Sequence, residues 1–237
     1  MRSSRSAPDP LGPGSLGFAH RGLHGPGVPE NSLAAARAAL AIGAGIECDV
    51  RMARDGVPMV FHDEALNRLT GRNGCLRHLP SEAAAELPLL GTGETIPALI
   101  ELLRLIDGRV PLLVEIKREP GLELLCRSVA EMLLGYDGPV AVMSFDLRVA
   151  RWFAIDAPRV WRGIVVDSQL KPWWRAIFLA LARPQFLAVD CKAVDQPWVA
   201  TQRGRIPVYS WTVRSSLDRA KVAKFADAPI WEGDGRP

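Results

Sequence analysis

Two stretches of the sequence set acids among strand-forming residues. In GIECDVR, Gly45–Arg51, the charged Glu47, Asp49 and Arg51 alternate with Ile46, Cys48 and Val50. Side chains on a strand alternate between faces, so the charges share one face and the apolar residues the other. In LLVEIK, Leu112–Lys117, the same alternation pairs Glu115 with Lys117, opposite Leu112, Val114 and Ile116. In a barrel the apolar face meets the surrounding helices, and the acids point to the barrel mouth. Three carboxylates brought together repel one another unless protons or a cation compensate. Hard divalent ions such as Mg²⁺ or Ca²⁺ take oxygen ligands of this kind, and three acids suit one ion. Salt bridging to Arg51 or Lys117 is the plainer alternative, weakened by the cost of burying so much charge.

Two histidines end strand-like runs: His20 in GFAHRG and His62 in MVFHDE. A pair of imidazoles can divide the work of general acid and general base near neutral pH. Arg21 and Lys117 add positive charge suited to a phosphate. His24 and His78 lie in loop contexts and read as surface residues. These residues together describe metal-assisted phosphoryl chemistry with two histidines. No Walker loop, GxGxxG turn or GxSxG elbow is present.

The elements that must position these residues follow from patterning. Strands are expected at Leu16–His20, Gly45–Arg51, Pro58–His62, Pro111–Ile116, Pro139–Phe145, Trp161–Val166, Phe186–Asp190 and Ile206–Trp211. Helices are expected at Leu33–Ile42, capped by Asn31 or Ser32, and at Ala98–Ile106, Gly121–Leu134, Leu147–Ile155 and Leu217–Ala226. Eight strands with intervening helices are the count of a (β/α)8 TIM barrel, of the α/β class, and 237 residues suit one such domain. Strands two and three are joined too tightly for a helix and should be antiparallel. A small insertion after strand 3, residues 63–95, fills the long gap before Ala98. Residues 1–15 read as a flexible Pro/Gly/Ser-rich lead-in to a domain over 16–237.

Composition narrows the class further. The 29 Lys and Arg against 26 Asp and Glu give no concentrated basic face, which argues against nucleic acid. The longest apolar run, Ala176–Ala182, is far short of a membrane span, and the N-terminus lacks a secretory core, so a cytoplasmic protein is expected. Cys48, Cys75, Cys126 and Cys191 are scattered and read as free thiols. In Lys171–Arg183, KPWWRAIFLALAR, Trp173, Trp174 and Phe178 between basic residues are candidates for peripheral membrane contact. A barrel helix with snorkelling ends is the alternative reading.

The phrases FAHRG, VPENSL, GIECDVRMARDGVPMVFHDEALNRLTG, LLVEIK and VYSWTV, in this order, resemble the glycerophosphodiester phosphodiesterase family from about Gly17 onward. The resemblance implies a TIM barrel and hydrolysis of small glycerophosphodiesters to sn-glycerol 3-phosphate and an alcohol through a cyclic phosphate. It implies His20 and His62 as catalytic histidines, and Glu47, Asp49 and Glu115 as ligands of one divalent cation. Arg21 and Lys117 match phosphate-contacting positions, and Trp211 matches an aromatic lining the site, with a core tryptophan filling the barrel as the alternative reading. Glu30 and Asn31 match a PEN motif, read as supporting groups. A lysophospholipase D with the same site and an acylated substrate is the alternative activity. The ending APIWEGDGRP is not the family's commoner ending, in which an Asp is followed by Pro near the last loop, beside the barrel mouth.

Overall fold

A computed structural model describes residues 9–237. Nine strands form one sheet: β1 (Phe18–Ala19), β2 (Gly45–Met52), β3 (Pro58–Val60), β4 (Leu112–Ile116), β5 (Val140–Ser144), β6 (Trp161–Val166), β7 (Phe186–Asp190), β8 (Val208–Val213) and β9 (Ala228–Trp231). Their order is β1-β9-β8-β7-β6-β5-β4-β2-β3, and parallel pairing of β1 with β2 closes the ring. The closed ring is a (β/α)8 TIM barrel. Its membership differs from the sequence reading in one strand. Pro58–Val60 pairs antiparallel with β2, outside the ring, and the remaining barrel strand is Ala228–Trp231. A four-residue run containing Pro229 carries too little periodicity to announce a strand. Its pairing with β1 and β8 supplies what local propensity does not.

The helices are α1 (Leu33–Ala41), α2 (Asn67–Thr70), α3 (Ser81–Ala85), α4 (Leu99–Ile106), α5 (Leu122–Leu134), α6 (Leu147–Asp156), α7 (Pro172–Ala182), α8 (Pro197–Arg203) and α9 (Ser216–Phe225). Side-chain caps fix three of their starts. Ser32 accepts from the Ala35 N–H, Asp146 from Arg148 and Ser215 from Asp218. Pro97 precedes α4 and does not occupy its first turn. Helix α8 went unread because its seven residues hold little apolar period.

The outward strand faces pack on the helices through residues such as Ile46, Cys48, Val50, Val114 and Ile116. The barrel interior holds Phe18, Leu113, Met143, Phe186, Tyr209 and Ile230, with Leu11 entering from below. Large and small residues alternate there. A Cβ on Gly45 would lie 2.7 Å from the Phe18 ring, and one on Gly163 would lie 2.4 Å from Phe186. Bulk therefore fills the lower barrel and leaves the upper layer to the acids. Residues 1–8 of the expected lead-in lie outside the described residues. Further along it, Asp9 accepts a hydrogen bond from the Tyr209 hydroxyl. Between β3 and α4, α2, a 3-10 turn at Leu76–His78 and α3 pack on Met59, Phe61, Leu66, Leu76 and Leu89.

Candidate active site

The acids predicted on β2 and β4 occupy the inner face near the C-terminal ends of these strands. Asp49 lies opposite Glu115 in the parallel register, and Glu47 lies one pleat below, opposite Leu113. One carboxylate oxygen from each of Glu47, Asp49 and Glu115 falls within 4.8 Å of the others. Glu47 and Asp49 are fully enclosed, and Glu115 nearly so. Lys117 reaches over the trio, its Nζ 2.9 Å from Asp49 Oδ1 and 2.5 Å from Glu115 Oε1. Arg21 Nε lies 3.2 Å from Asp49 Oδ2.

Glu47 is the acid left short of partners. Its Oε2 accepts the Arg21 backbone N–H at 3.0 Å, while its Oε1 is buried with no hydrogen-bond partner. Burial, then the charges of Asp49 and Glu115, push the Glu47 carboxyl well above the usual range. Burial pushes Asp49 in the same direction, but Lys117, Arg21 and both imidazoles outweigh it and hold Asp49 low. Burial also raises Glu115, against the pull of Lys117. Lys117 itself is raised: its two carboxylates overcome burial. An all-oxygen trio with one unpartnered buried oxygen fits a hard divalent cation.

The loop after β1 is held in a demanding conformation. Arg21 and Asn31 both adopt left-handed backbone angles, with φ of 57° and 56°. Asn tolerates this region better than Arg does, and such a conformation persists only where its surroundings fix it. Here Asn31 N–H donates to the Arg21 carbonyl. The Asn31 amide donates to Asp49 Oδ2 at 2.8 Å, and its carbonyl accepts the Asp49 N–H. Asn31 thus serves the acid cluster, and Ser32 alone caps α1.

Each site histidine has its Nδ1 on a carboxylate. His20 Nδ1 lies 2.5 Å from Glu232 Oε2, leaving its Nε2 4.0 Å from Glu47. Glu232 also accepts from Arg214 at 2.5 Å. The hydrogen bond from His20, with His24 close by and a hydrogen bond from Arg214, holds the Glu232 carboxyl far below its ordinary value, against burial. His62 Nδ1 lies 2.6 Å from Asp63, which is held at about 2: burial raises it, but the hydrogen bonds from Arg68 and His62 prevail. Burial lowers the His62 imidazole. Arg68 in turn bridges Asp63 and Glu30, and Glu30 pairs with Arg21 at 2.7 Å. Arg51 does not join the trio. It donates to the His62 carbonyl and pairs with Glu119.

The structure therefore brings His20, Arg21, Glu47, Asp49, Glu115 and Lys117 together, with His62 at their edge. Trp211 stands apart on the opposite wall, its ring edge-on to Phe145 at 5.3 Å and its Nε1 donating to the Ala188 carbonyl. His24 is no free surface residue: it is half-buried, with Nε2 3.6 Å from Glu232. His78 is exposed as read. The sequence reading missed Glu232, Asp63 and Arg68. Glu232 had a usable signal, since it follows the apolar run Pro229–Trp231 as an acid at a strand end. The four cysteines are free.

Comparison with known proteins identifies the family and the fold. A curated glycerophosphodiester phosphodiesterase from Caldanaerobacter subterraneus is 29% identical over 226 residues, covering 89% of this chain and 90% of the relative. The solved structure of an Oleispira antarctica phosphodiesterase, in complex with the product sn-glycerol-3-phosphate, superposes with a TM-score of 0.81 at 25% identity. The two chains cover 92% of each other. A glycerophosphodiester phosphodiesterase structure from Thermotoga maritima shares the fold, with a TM-score of 0.78 at 23% identity over 92% of this chain and 94% of that one. The model of the glycerophosphoryl diester phosphodiesterase family matches residues 20–229. That match opens on His20 and spans the carboxylate trio, the second histidine and strands β2 to β8. The chain belongs to the glycerophosphoryl diester phosphodiesterase family of hydrolases.

Proposed function

We propose that this chain hydrolyses small glycerophosphodiesters to sn-glycerol 3-phosphate and an alcohol, with one divalent cation and two histidines. The single observation that carries the reading is the pair of Nδ1-anchored imidazoles beside a carboxylate trio with an unpartnered oxygen. Fixing Nδ1 on a carboxylate sets the tautomer and leaves Nε2 for the substrate. Glu47, Asp49 and Glu115 would hold the cation, which supplies Lewis-acid charge to a phosphoryl oxygen and favours ionisation of a glycerol hydroxyl.

The chain's own groups then account for the proton movements. One imidazole takes the proton of the attacking glycerol hydroxyl through Nε2. The hydroxyl oxygen bonds to phosphorus as the bond from phosphorus to the alcohol oxygen breaks, and a cyclic phosphate forms. The other imidazole gives its proton to the leaving oxygen. In the second step water attacks the ring, the roles reverse and the ring oxygen regains its proton. Arg21 and Lys117 face the charge that develops on the phosphoryl oxygens. Trp211 and Phe145 offer an apolar wall to the glycerol or alcohol portion. The named relatives are diester phosphodiesterases, which favours this reading over a lysophospholipase D.

The test is release of glycerol 3-phosphate from glycerophosphocholine by the purified chain, in EDTA and after Mg²⁺ or Ca²⁺ is restored. Cation-dependent release that disappears in His20→Ala and Glu47→Ala is the expected outcome. Undiminished release in EDTA would overturn the cation's role, and full activity in His20→Ala would overturn the assignment of the acid–base pair.

A further inference from the structure

Helix α7 presents a different outer face from its counterpart α5. On α5 the exposed positions spaced by four are Glu123, Arg127 and Glu131. On α7 the same spacing carries Trp173, Ile177 and Leu181. These three are 55%, 38% and 47% exposed, and Trp174 is 42% exposed. At the helical rotation per residue the four side chains fall within an arc of about 100°. Trp173 and Trp174 stack with centroids 4.5 Å apart. Ala182 is the one fully buried residue of the helix. Its one charged residue, Arg175, is turned away from the strip, with its guanidinium 4.1 Å over the Trp198 ring.

The surroundings indicate what covers this strip. No acid occurs from Ser168 to Val189, while Lys171 and Arg183 stand exposed at the two ends of the helix. The strip exposes on the order of 400 Å² of apolar side chain, about half of what one partner buries in a stable protein interface. A second copy of the chain is therefore a poor match. A bilayer requires no complementary surface. It accepts an apolar helix face at the acyl boundary, with tryptophans at headgroup depth and cations against anionic headgroups.

Only five residues separate the end of β6 from the start of α7. Its tryptophans thus lie at the barrel end where the strand C-termini and the carboxylate trio are found. We propose that α7 docks the protein on an anionic phospholipid surface, lying flat in the interface with the barrel mouth edge-on to it. This surface is independent of the chemistry proposed above, and binding rather than turnover reads it.

The experiment is flotation of the full chain with vesicles of phosphatidylcholine alone and of phosphatidylcholine with phosphatidylglycerol. Wild type should float with the anionic vesicles and less with the neutral ones. Trp173→Ala/Trp174→Ala and, separately, Ile177→Glu should each lower the bound fraction roughly tenfold. Thermal melting of each variant checks that the fold is intact, and either variant alone suffices. Absence of wild-type flotation on anionic vesicles, equal flotation on both compositions, or full flotation of a folded variant would overturn the proposal. So would a wild-type dimer in light scattering that Ile177→Glu converts to monomer, since that would assign the strip to a second copy.

Discussion

The two halves of the barrel use similar polar residues in opposite ways. On β5 and β8, Ser144 and Ser210 share the outer strand face with Val142 and Val208 and donate to the Ile116 and Val189 carbonyls, while Asp190 on β7 turns inward and accepts the Lys192 N–H. Their hydrogen bonds end on nearby backbone, so they complete the fold. On the wall of β9, β1, β2 and β4, the acids face one another, two cations and two imidazoles. Each ion there carries a desolvation cost of several kcal/mol, offset only by its partners. Glu47 Oε1 remains without any partner. Reactivity follows from polar capacity that the fold does not itself consume, more than from the residue types present.

Substitutions can break this comparison outright. His20→Ala or His62→Ala should lower kcat/KM for glycerophosphocholine by about 10³-fold, within the usual range for a lost acid or base. If Trp211→Ala cost as much, the division between a reactive and a passive wall would fail. Glu232→Gln should follow, lowering kcat roughly 10–100-fold with KM little changed, because it misplaces the His20 tautomer and leaves the binding surface intact. A rise in KM at constant kcat would show that Glu232 serves binding instead.

The passive wall should answer in the other parameter. Trp211→Ala or Phe145→Ala should raise KM by about tenfold and leave kcat nearly unchanged, since these rings offer apolar contact to ground and transition state alike. Steady-state kinetics on each variant decides this.

The smallest effect concerns stability. The Glu47 carboxyl is raised in the fold, so its contribution is full below the ordinary glutamate pKa of 4.5 and is lost as pH rises through the raised value. Asp49 and Glu232 are lowered, so their contributions persist above their ordinary values and are lost toward acid. The windows are therefore separate. In EDTA at neutral pH, Glu47→Gln should stabilise the chain by about 1 kcal/mol, by removing a buried carboxyl whose Oε1 has no partner and whose ionisation burial and two neighbouring acids oppose. Urea midpoints across a pH series measure it, and a destabilised Glu47→Gln would mean that Arg21 needs that charge.

The sequence revealed the acid-bearing wall well. Alternation on β2 and β4 suffices to put Glu47, Asp49 and Glu115 on one face, because a strand's period is local. What it could not reveal were contacts between distant positions. Glu232 meets His20 across 212 positions, and Arg68 meets Glu30 across 38. The missed strand β9 belongs to the same class, since its four residues become a strand only through their neighbours β1 and β8. Arg51 shows the converse error of local logic. It shares the acids' face by count, yet lies at the strand end, where it turns to Glu119 and the His62 carbonyl.

The pairing of β1 with β9 bears on when this protein can act during its own synthesis. The first barrel strand and the last lie side by side, and Glu232 closes on His20 only after β9 is in place. A nascent chain still threaded on the ribosome carries His20, His62 and all three acids long before it carries the residue that aims the first imidazole. Closure of the ring and of the His20–Glu232 contact is thus withheld until β9 and the residue after it have been made. A chain ending before Ala228 would present the complete acid cluster on a barrel with an open seam.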